Sequence, residues 1–276
     1  ESHRRLKEIS KNVLLIPTTT RTAEQYGRID LGIETPLYAL VCNGGVLLKN
    51  GCEDADWYEE SLRLTADCRG ELIRAEKLLQ QDADRSFEVR NVKELFVFTK
   101  SDRPDLTAGL LRAALDLSLV DVFQNGVKVY VLPKSLTKGC AVRRMQKRLV
   151  SEAAEVKLRR GNERSEAGAK LRRGNERSAE DAPFSEASGK KIRISELSGS
   201  PESGENNQDA GSPIGEPFVI AAGDSEFDVS MAGEAELFMA PSALREQALR
   251  EVGEGGEADR SRRSEYGSRA GRLLFA

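Results

Sequence analysis

An α/β fold with a parallel sheet is what this sequence predicts, and three observations predict it. Short apolar runs, Val13-Leu14-Leu15-Ile16 and Tyr38-Ala39-Leu40-Val41-Cys42, end at Pro17 and at Asn43-Gly44-Gly45, as buried parallel strands do. A stretch able to form a helix lies between them, which gives the order of a βαβ unit. A further apolar run, Phe218-Val219-Ile220-Ala221-Ala222, returns late in the chain and leads into Gly223-Asp224. Hydrophobic residues are 39% and charged residues 32% of the 276, so part of the chain is expected to lie outside any packed core.

Residues 22–29 are read as the short helix after the first strand. Val46-Leu47-Leu48-Lys49 is a strand that enters an Asn50-Gly51 turn. From 59 to 80, Leu62, Leu64, Ile73, Leu78 and Leu79 stand among charges, which suits a surface helix. Leu95-Phe96-Val97-Phe98 is a strand, and residues 107–119 a helix. Val120-Asp121-Val122-Phe123 and Val127-Lys128-Val129-Tyr130-Val131 flank Gln124-Asn125-Gly126, a hairpin signal because Asn-Gly accepts positive φ. A second small sheet with its own helices therefore precedes Lys138.

The composition then changes. Lys157-Leu158-Arg159-Arg160-Gly161-Asn162-Glu163-Arg164-Ser165 recurs at Lys170 to Ser178, a spacing of 13 residues. Two copies are too few to bury a shared core. A Ser-, Gly- and Glu-rich stretch covers 195–215. Residues 152–216 are expected to be a disordered low-complexity insertion that opens with a helical extension. The α/β pattern resumes at Phe218 and fades after Arg250 into a charged tail, expected to be disordered over 251–276.

Several classes are disfavoured. With 42 Lys+Arg against 45 Asp+Glu, the near-balance gives no chain-wide surface for nucleic acid. The Lys-Leu-Arg-Arg blocks carry Glu163 and Glu176 and no interleaved aromatics, so nucleic acid is not expected as a partner there either. No apolar run approaches the ~20 residues of a membrane span, and no membrane partner is expected. The first residues, Glu1-Ser2-His3-Arg4-Arg5-Leu6, do not look like a secretory signal. Cys42, Cys52, Cys68 and Cys140 lack CxxC spacing, and His3 is the one histidine, which argues against zinc and for reduced, cytoplasmic thiols.

Four segments carry candidate chemistry. Gly223-Asp224-Ser225-Glu226-Phe227-Asp228 follows an apolar strand, and Asp228 lies one helical turn beyond Asp224. Two such carboxylates facing the crevice at the strand ends suit Mg²⁺, a hard cation that takes oxygen ligands. The alternative is Asp224 as a helix N-cap and Asp228 as a surface charge. Lys138 stands at a helix entry, where it can neutralise a phosphoryl group; alone, it reads better as a solvated lysine before a helix. Thr18-Thr19-Thr20-Arg21-Thr22 after the first strand offers hydroxyls and N–H groups to phosphate, or simply caps a helix. Asn43-Gly44 after the second strand permits close backbone approach to a ligand, or makes a turn.

Together these segments resemble the haloacid-dehalogenase-like (HAD) phosphohydrolases, in the Cof-type and sucrose-phosphate-phosphatase-like branch with an α/β cap between the second and third motifs. The resemblance covers about 13–149 and 218–249. It implies a Rossmann-like core in three pieces with a cap inserted between the first two. Residues 1–50 form its first part, 51–132 an inserted α/β cap, 133–151 the motif-three helix and 217–250 the metal motif. It implies that Thr19 is the motif-two phosphate ligand with Thr20 and Arg21 beside it, and that Lys138 is the motif-three lysine. Asp224 becomes a Mg²⁺ ligand and Asp228 a second acidic residue that holds the metal directly or through water. Asn43 and Gly44 border the site. The cofactor implied is Mg²⁺, and the substrate a sugar phosphate or similar small phosphorylated metabolite.

The family's first motif, Asp-x-Asp-x-Thr, supplies the nucleophile and the general acid/base. It is expected before Val13, and residues 1–12 do not contain it. Asp54-Ala55-Asp56 and Asp82-Ala83-Asp84 match by letter, but neither follows an apolar strand, and both are read as surface acids. The sequence thus predicts a metal and phosphate cradle whose nucleophile lies outside it. The other reading is a catalytically dead relative that binds a phosphorylated ligand or partner. Without the strand that carries the motif, two sheet edges are expected to be unpaired.

Overall fold

A computed structural model of the chain describes residues 2–173, 217–258 and 272–275. Helices and strands alternate through these residues, and the fold is α/β. Helix α1 (Ser2–Ile9) and the short α2 (Ala23–Tyr26) come first. Thr22 caps α2 in a reciprocal box: Gln25 N donates to Thr22 Oγ1, and Thr22 N to Gln25 Oε1, both at 3.2 Å. Strands β1 (Tyr38–Val41), β2 (Val46–Lys49) and β3 (Cys52–Glu53) make an antiparallel sheet in that order. Asn50 and Gly51 turn β2 into β3 at φ 52° and 79°, as an Asn-Gly hairpin turn requires.

The run Val13-Leu14-Leu15-Ile16 is not a strand. Val13 is 43% exposed, and the parallel pairing begins only at Pro17. Pro17 lacks an N–H but its carbonyl accepts from Leu40 N, and Thr19 N donates to Leu40 O, both at 2.8 Å. The result is one parallel bridge between Thr18 and Leu40 rather than a strand pair.

Next come α3 (Ala55–Leu64), α4 (Arg69–Gln81), β4 (Arg90–Val92), β5 (Phe96–Lys100), α5 (Pro104–Ala114), β6 (Val120–Asn125) and β7 (Lys128–Pro133). The four strands form an antiparallel sheet in the order β4-β5-β7-β6. The single helix expected over 59–80 is broken at Thr65, whose N–H and hydroxyl both bond to Ser61 O at 3.1 Å. The hairpin turn sits one residue later than the Asn-Gly pair implies. Asn125 pairs with Lys128, and positive φ falls on Gly126. One face of the sheet buries Val97, Val122, Val129 and Val131 against Leu72, Leu79, Ala108 and Leu111 of α4 and α5. The strand register sets Arg90, Phe98, Tyr130 and Phe123 in one row on the other face.

Helix α6 (Lys138–Arg173) starts at the candidate lysine and runs well past residue 151. It includes the first repeat copy and the start of the second. The remainder of the expected insertion, 174–216, lies outside the described residues. Strand β8 (Ile220–Ala222), α7 (Glu226–Val229), β9 (Leu237–Ala240), α8 (Arg245–Ala258) and β10 (Arg272–Phe275) complete the fold. Here the sheet is parallel, in the order β10-β9-β8, with a helix in each crossover. Ala221, Val229, Met231, Phe238 and Ala248 form its core. The charged tail expected from 251 is corrected at both ends. Helix α8 continues to Ala258, and the apolar Leu273-Leu274-Phe275 lies in a strand on β9. Residues 259–271 lie outside the described ones.

The expected core strands are thus spread over separate sheets. Among the described residues, β8 is an edge strand, and Ile220 on it is exposed.

Cys42 shows how completely the β1–β2 connection is enclosed. Its side chain is buried, and burial pushes the thiol up from an ordinary 9.0 to about 11. A raised folded value favours the protonated form, so this stabilisation is complete below pH 9 and is lost as pH rises through about 11. At pH 8, iodoacetamide should label exposed Cys52 and leave Cys42 unlabelled until the chain is denatured, as read by peptide mass spectrometry.

Candidate functional site

The site is built where β7 hands over to α6. Lys138, the first residue of α6, is only 5% exposed, and its Nζ donates to Asp228 Oδ1 at 2.5 Å across 90 positions of sequence. Asp228 is equally buried. Its second oxygen accepts from Ser225 Oγ at 2.7 Å, Ser225 N at 3.1 Å and Asp224 N at 3.2 Å. A carboxylate out of water needs further hydrogen bonds, and these three donors supply them to Asp228 Oδ2. Ser225 is the N-cap of α7 and Asp228 its third residue, a capping box that aims the carboxylate back over the turn.

Two glycines allow this approach. A Cβ on Gly223 would stand 2.0 Å from Asp228 Cβ, and one on Gly139 would stand 2.1 Å from Ser230 O. Gly139 N donates to Ser230 Oγ at 3.0 Å, which ties the start of α6 to the end of α7. Arg143, one turn along α6, pairs with Glu234.

The second half of the site joins at Asn43. Its φ is 58°, its side chain is 4% exposed, and its Nδ2 donates to Leu136 O at 2.8 Å, two residues before Lys138. Asn43 Oδ1 is buried and has no hydrogen-bond partner among the described residues. Asn43 N donates to Thr19 O at 2.9 Å, and Arg21 N donates to Thr19 Oγ1 at 3.2 Å. Gly44, at φ 87°, lies so close to α6 that a Cβ would stand 2.3 Å from Ala141 Cβ. Its carbonyl accepts from Trp57 Nε1 at 2.9 Å.

Asn43 therefore joins Thr19 to Leu136 in the turn before Lys138, Gly44 lies against Ala141 of α6, and Asp228 joins Lys138 to the backbone of Asp224. Thr20 is half-buried and Arg21 exposed, and among the described residues neither shares a hydrogen bond with Lys138, Asp224 or Asp228. The reading of Lys138 as a solvated lysine does not hold, nor does that of Asp228 as a surface charge with Asp224 as N-cap. The expected pair of carboxylates facing one crevice needs correction too. Asp224 is exposed, while Asp228 turns inward and spends both oxygens on protein donors. Asp54 caps α3 through Trp57 N, and Asp84 pairs with Arg103, so both Asp-x-Asp look-alikes have structural work.

Sequence reasoning gives no role to Ser225, Ser230 or Phe227, and reads Trp57 as packing in preference to a cap aromatic over the substrate, without its bond to Gly44 O. The first was legible as Ser-x-x-Asp before an apolar residue, the spelling of a capping box.

Among the described residues no three His, Cys, Asp or Glu side chains gather as a metal-binding group. Asp224 offers one exposed carboxylate, the kind of oxygen ligand Mg²⁺ takes, while both oxygens of Asp228 are held by protein donors.

No family model matches the sequence, and no curated protein does. Solved structures with some likeness include the sucrose-phosphatase of Synechocystis sp. PCC6803, in complex with sucrose and phosphate. It is 18% identical over 53% of this chain and 62% of its own, with a TM-score of 0.39. A trehalose-6-phosphate phosphatase related protein is 11% identical over 87% of this chain and 75% of its own, with a TM-score of 0.40. The IMP-nucleotidase of Plasmodium falciparum is 12% identical over 53% and 44%, with a TM-score of 0.31. The chain spans less than two thirds of the Synechocystis enzyme. Function has to be argued from the residues of the site.

Proposed function

We propose that this chain is the phosphate- and metal-binding part of a HAD-type phosphomonoester hydrolase acting on a sugar phosphate or similar small metabolite. The buried Lys138–Asp228 pair carries the reading. Such a pair is costly to build and is an unremarkable investment only where a charge has to be held in place. Lys138 holds positive charge at the N-terminal end of α6, where the helix dipole also favours an anion. Thr19, with Thr20 and Arg21 beside it, supplies hydroxyl and N–H donors on the phosphate side, and Asn43 and Gly44 border it. Asp224 holds Mg²⁺, and Asp228 keeps Lys138 and the Asp224 turn in register. When bound, the ion neutralises charge on the phosphoryl oxygens. In the reaction this reading implies, an aspartate that these site residues do not supply attacks phosphorus, the P–O ester bond breaks, and a general acid gives the leaving alkoxide its proton. Water then opens the acyl phosphate. Four free thiols support a cytoplasmic setting within the same reading.

The second reading, a non-catalytic relative that binds a phosphorylated ligand, is favoured by one observation. Asp228 already gives both its oxygens to protein donors.

Calorimetry with inorganic phosphate should show binding that Mg²⁺ strengthens and that Asp224→Asn weakens about tenfold. The chain alone should not turn over p-nitrophenyl phosphate or sugar phosphates in Mg²⁺. Turnover that Asp224→Asn abolishes would refute the need for an outside nucleophile. Absence of phosphate binding with and without Mg²⁺ would refute the site.

A further inference from the structure

Helix α7 has four residues, and two neighbours on it face opposite partners. Asp228 turns to Lys138. Phe227, 8% exposed, enters the aromatic face of the four-stranded sheet. Its ring lies 4.9 Å from Phe123 in a tilted contact and 5.3 Å from Tyr130 edge-on. Tyr130 stacks in turn on Phe98 at 5.5 Å. Phe227 also shares a buried cluster with Leu132 and Leu136, which lead from β7 to Lys138. Burial pushes the Tyr130 phenol up, and the positive charge of Arg21 offsets part of that rise.

We propose that Phe227 is a positioning residue: seated between Phe123 and Tyr130, it fixes the rotation of α7 and so holds Asp228 on Lys138 and the Asp224 carboxylate outward. A helix of a single turn cannot set its own orientation, since its few hydrogen bonds leave it free to roll. An aromatic ring held on two sides removes that freedom. Packing of the inserted sheet and occupancy of the site are then coupled, and the coupling is reciprocal. The ligand half of this inference rests on the site being a phosphate and metal site. The positioning half does not.

The test compares Phe227→Ala and Phe227→Leu with Val122→Ala, which weakens the opposite face of the same sheet without touching α7. Amide hydrogen exchange reads the Asp224 and Ser225 N–H groups, both bonded to Asp228. Both amides should lose protection in Phe227→Ala, lose less in Phe227→Leu, and keep it in Val122→Ala. Phosphate affinity in Mg²⁺ should fall about tenfold in Phe227→Ala and stay within about twofold of wild type in Val122→Ala. Wild-type protection of both amides in Phe227→Ala would overturn the proposal, as would equal loss in Val122→Ala. If Phe227→Ala does not fold, Phe227→Leu decides by the same two amides. If the wild-type chain itself binds no phosphate, the reading of the site falls, and the amides still decide the positioning role.

Discussion

Lys138→Met should destabilise the chain by about 3–5 kcal/mol, because it leaves the Asp228 carboxylate buried without its counter-charge. The three N–H and O–H donors from Asp224 and Ser225 remain, but all of them serve the other oxygen. Oδ1 loses the Lys138 ammonium. Methionine keeps most of the lysine stem, so lost packing contributes little, and the effect reads the charge. Adding Asp228→Asn removes the stranded charge, and the double variant should recover much of the loss. Urea unfolding of the four proteins gives the cycle, and a coupling free energy near zero would mean that the two side chains do not interact in solution. Phosphate binding should be lost in Lys138→Met and should not return in the double variant. Stability follows charge balance within the pair, whereas anion binding needs the cation itself.

What could be read in advance was local. The Asn50-Gly51 turn, the β6–β7 hairpin and the lysine at the start of α6 all announce themselves within a few residues. What could not be read was mostly long-range. The Asn43–Leu136 hydrogen bond spans 93 positions and the Lys138–Asp228 pair spans 90, and no periodicity reports either. An apolar run such as Val13-Leu14-Leu15-Ile16 shows that a strand is affordable but not that a partner lies beside it. The reverse error occurred at Arg272–Phe275, where four residues after a charged stretch were too short a pattern to register, yet β9 offers them an edge. The inward turn of Asp228 had a local cause, the Ser225 cap, together with a distant one, the Phe227 seat on β6 and β7. Only the first is spelled in neighbouring residues. The resemblance names candidate site loops, but it supplies no distances between them.

Two glycine substitutions should move stability in opposite directions. Gly109→Ala, inside α5 with nothing within 4 Å of the new methyl, should stabilise by about 0.5–1 kcal/mol, the ordinary gain of alanine over glycine in a helix. Gly139→Ala, inside α6, has the same helical gain available and should nevertheless destabilise by about 1–3 kcal/mol or more. The methyl would stand 2.1 Å from the oxygen and 2.7 Å from the carbon of the Ser230 carbonyl, which are backbone atoms with no flexible end to move aside. To relieve the clash, α6 has to withdraw from the end of α7, breaking the Gly139 N to Ser230 Oγ bond and pulling Lys138 from Asp228. The substitution should therefore abolish phosphate binding even under conditions where the chain stays folded, while Gly109→Ala leaves it intact. Thermal unfolding with parallel calorimetry checks both. A Gly139→Ala protein as stable as wild type and still binding phosphate would mean that α6 and α7 do not touch, and the Lys138–Asp228 pair would lose the contact that supports it.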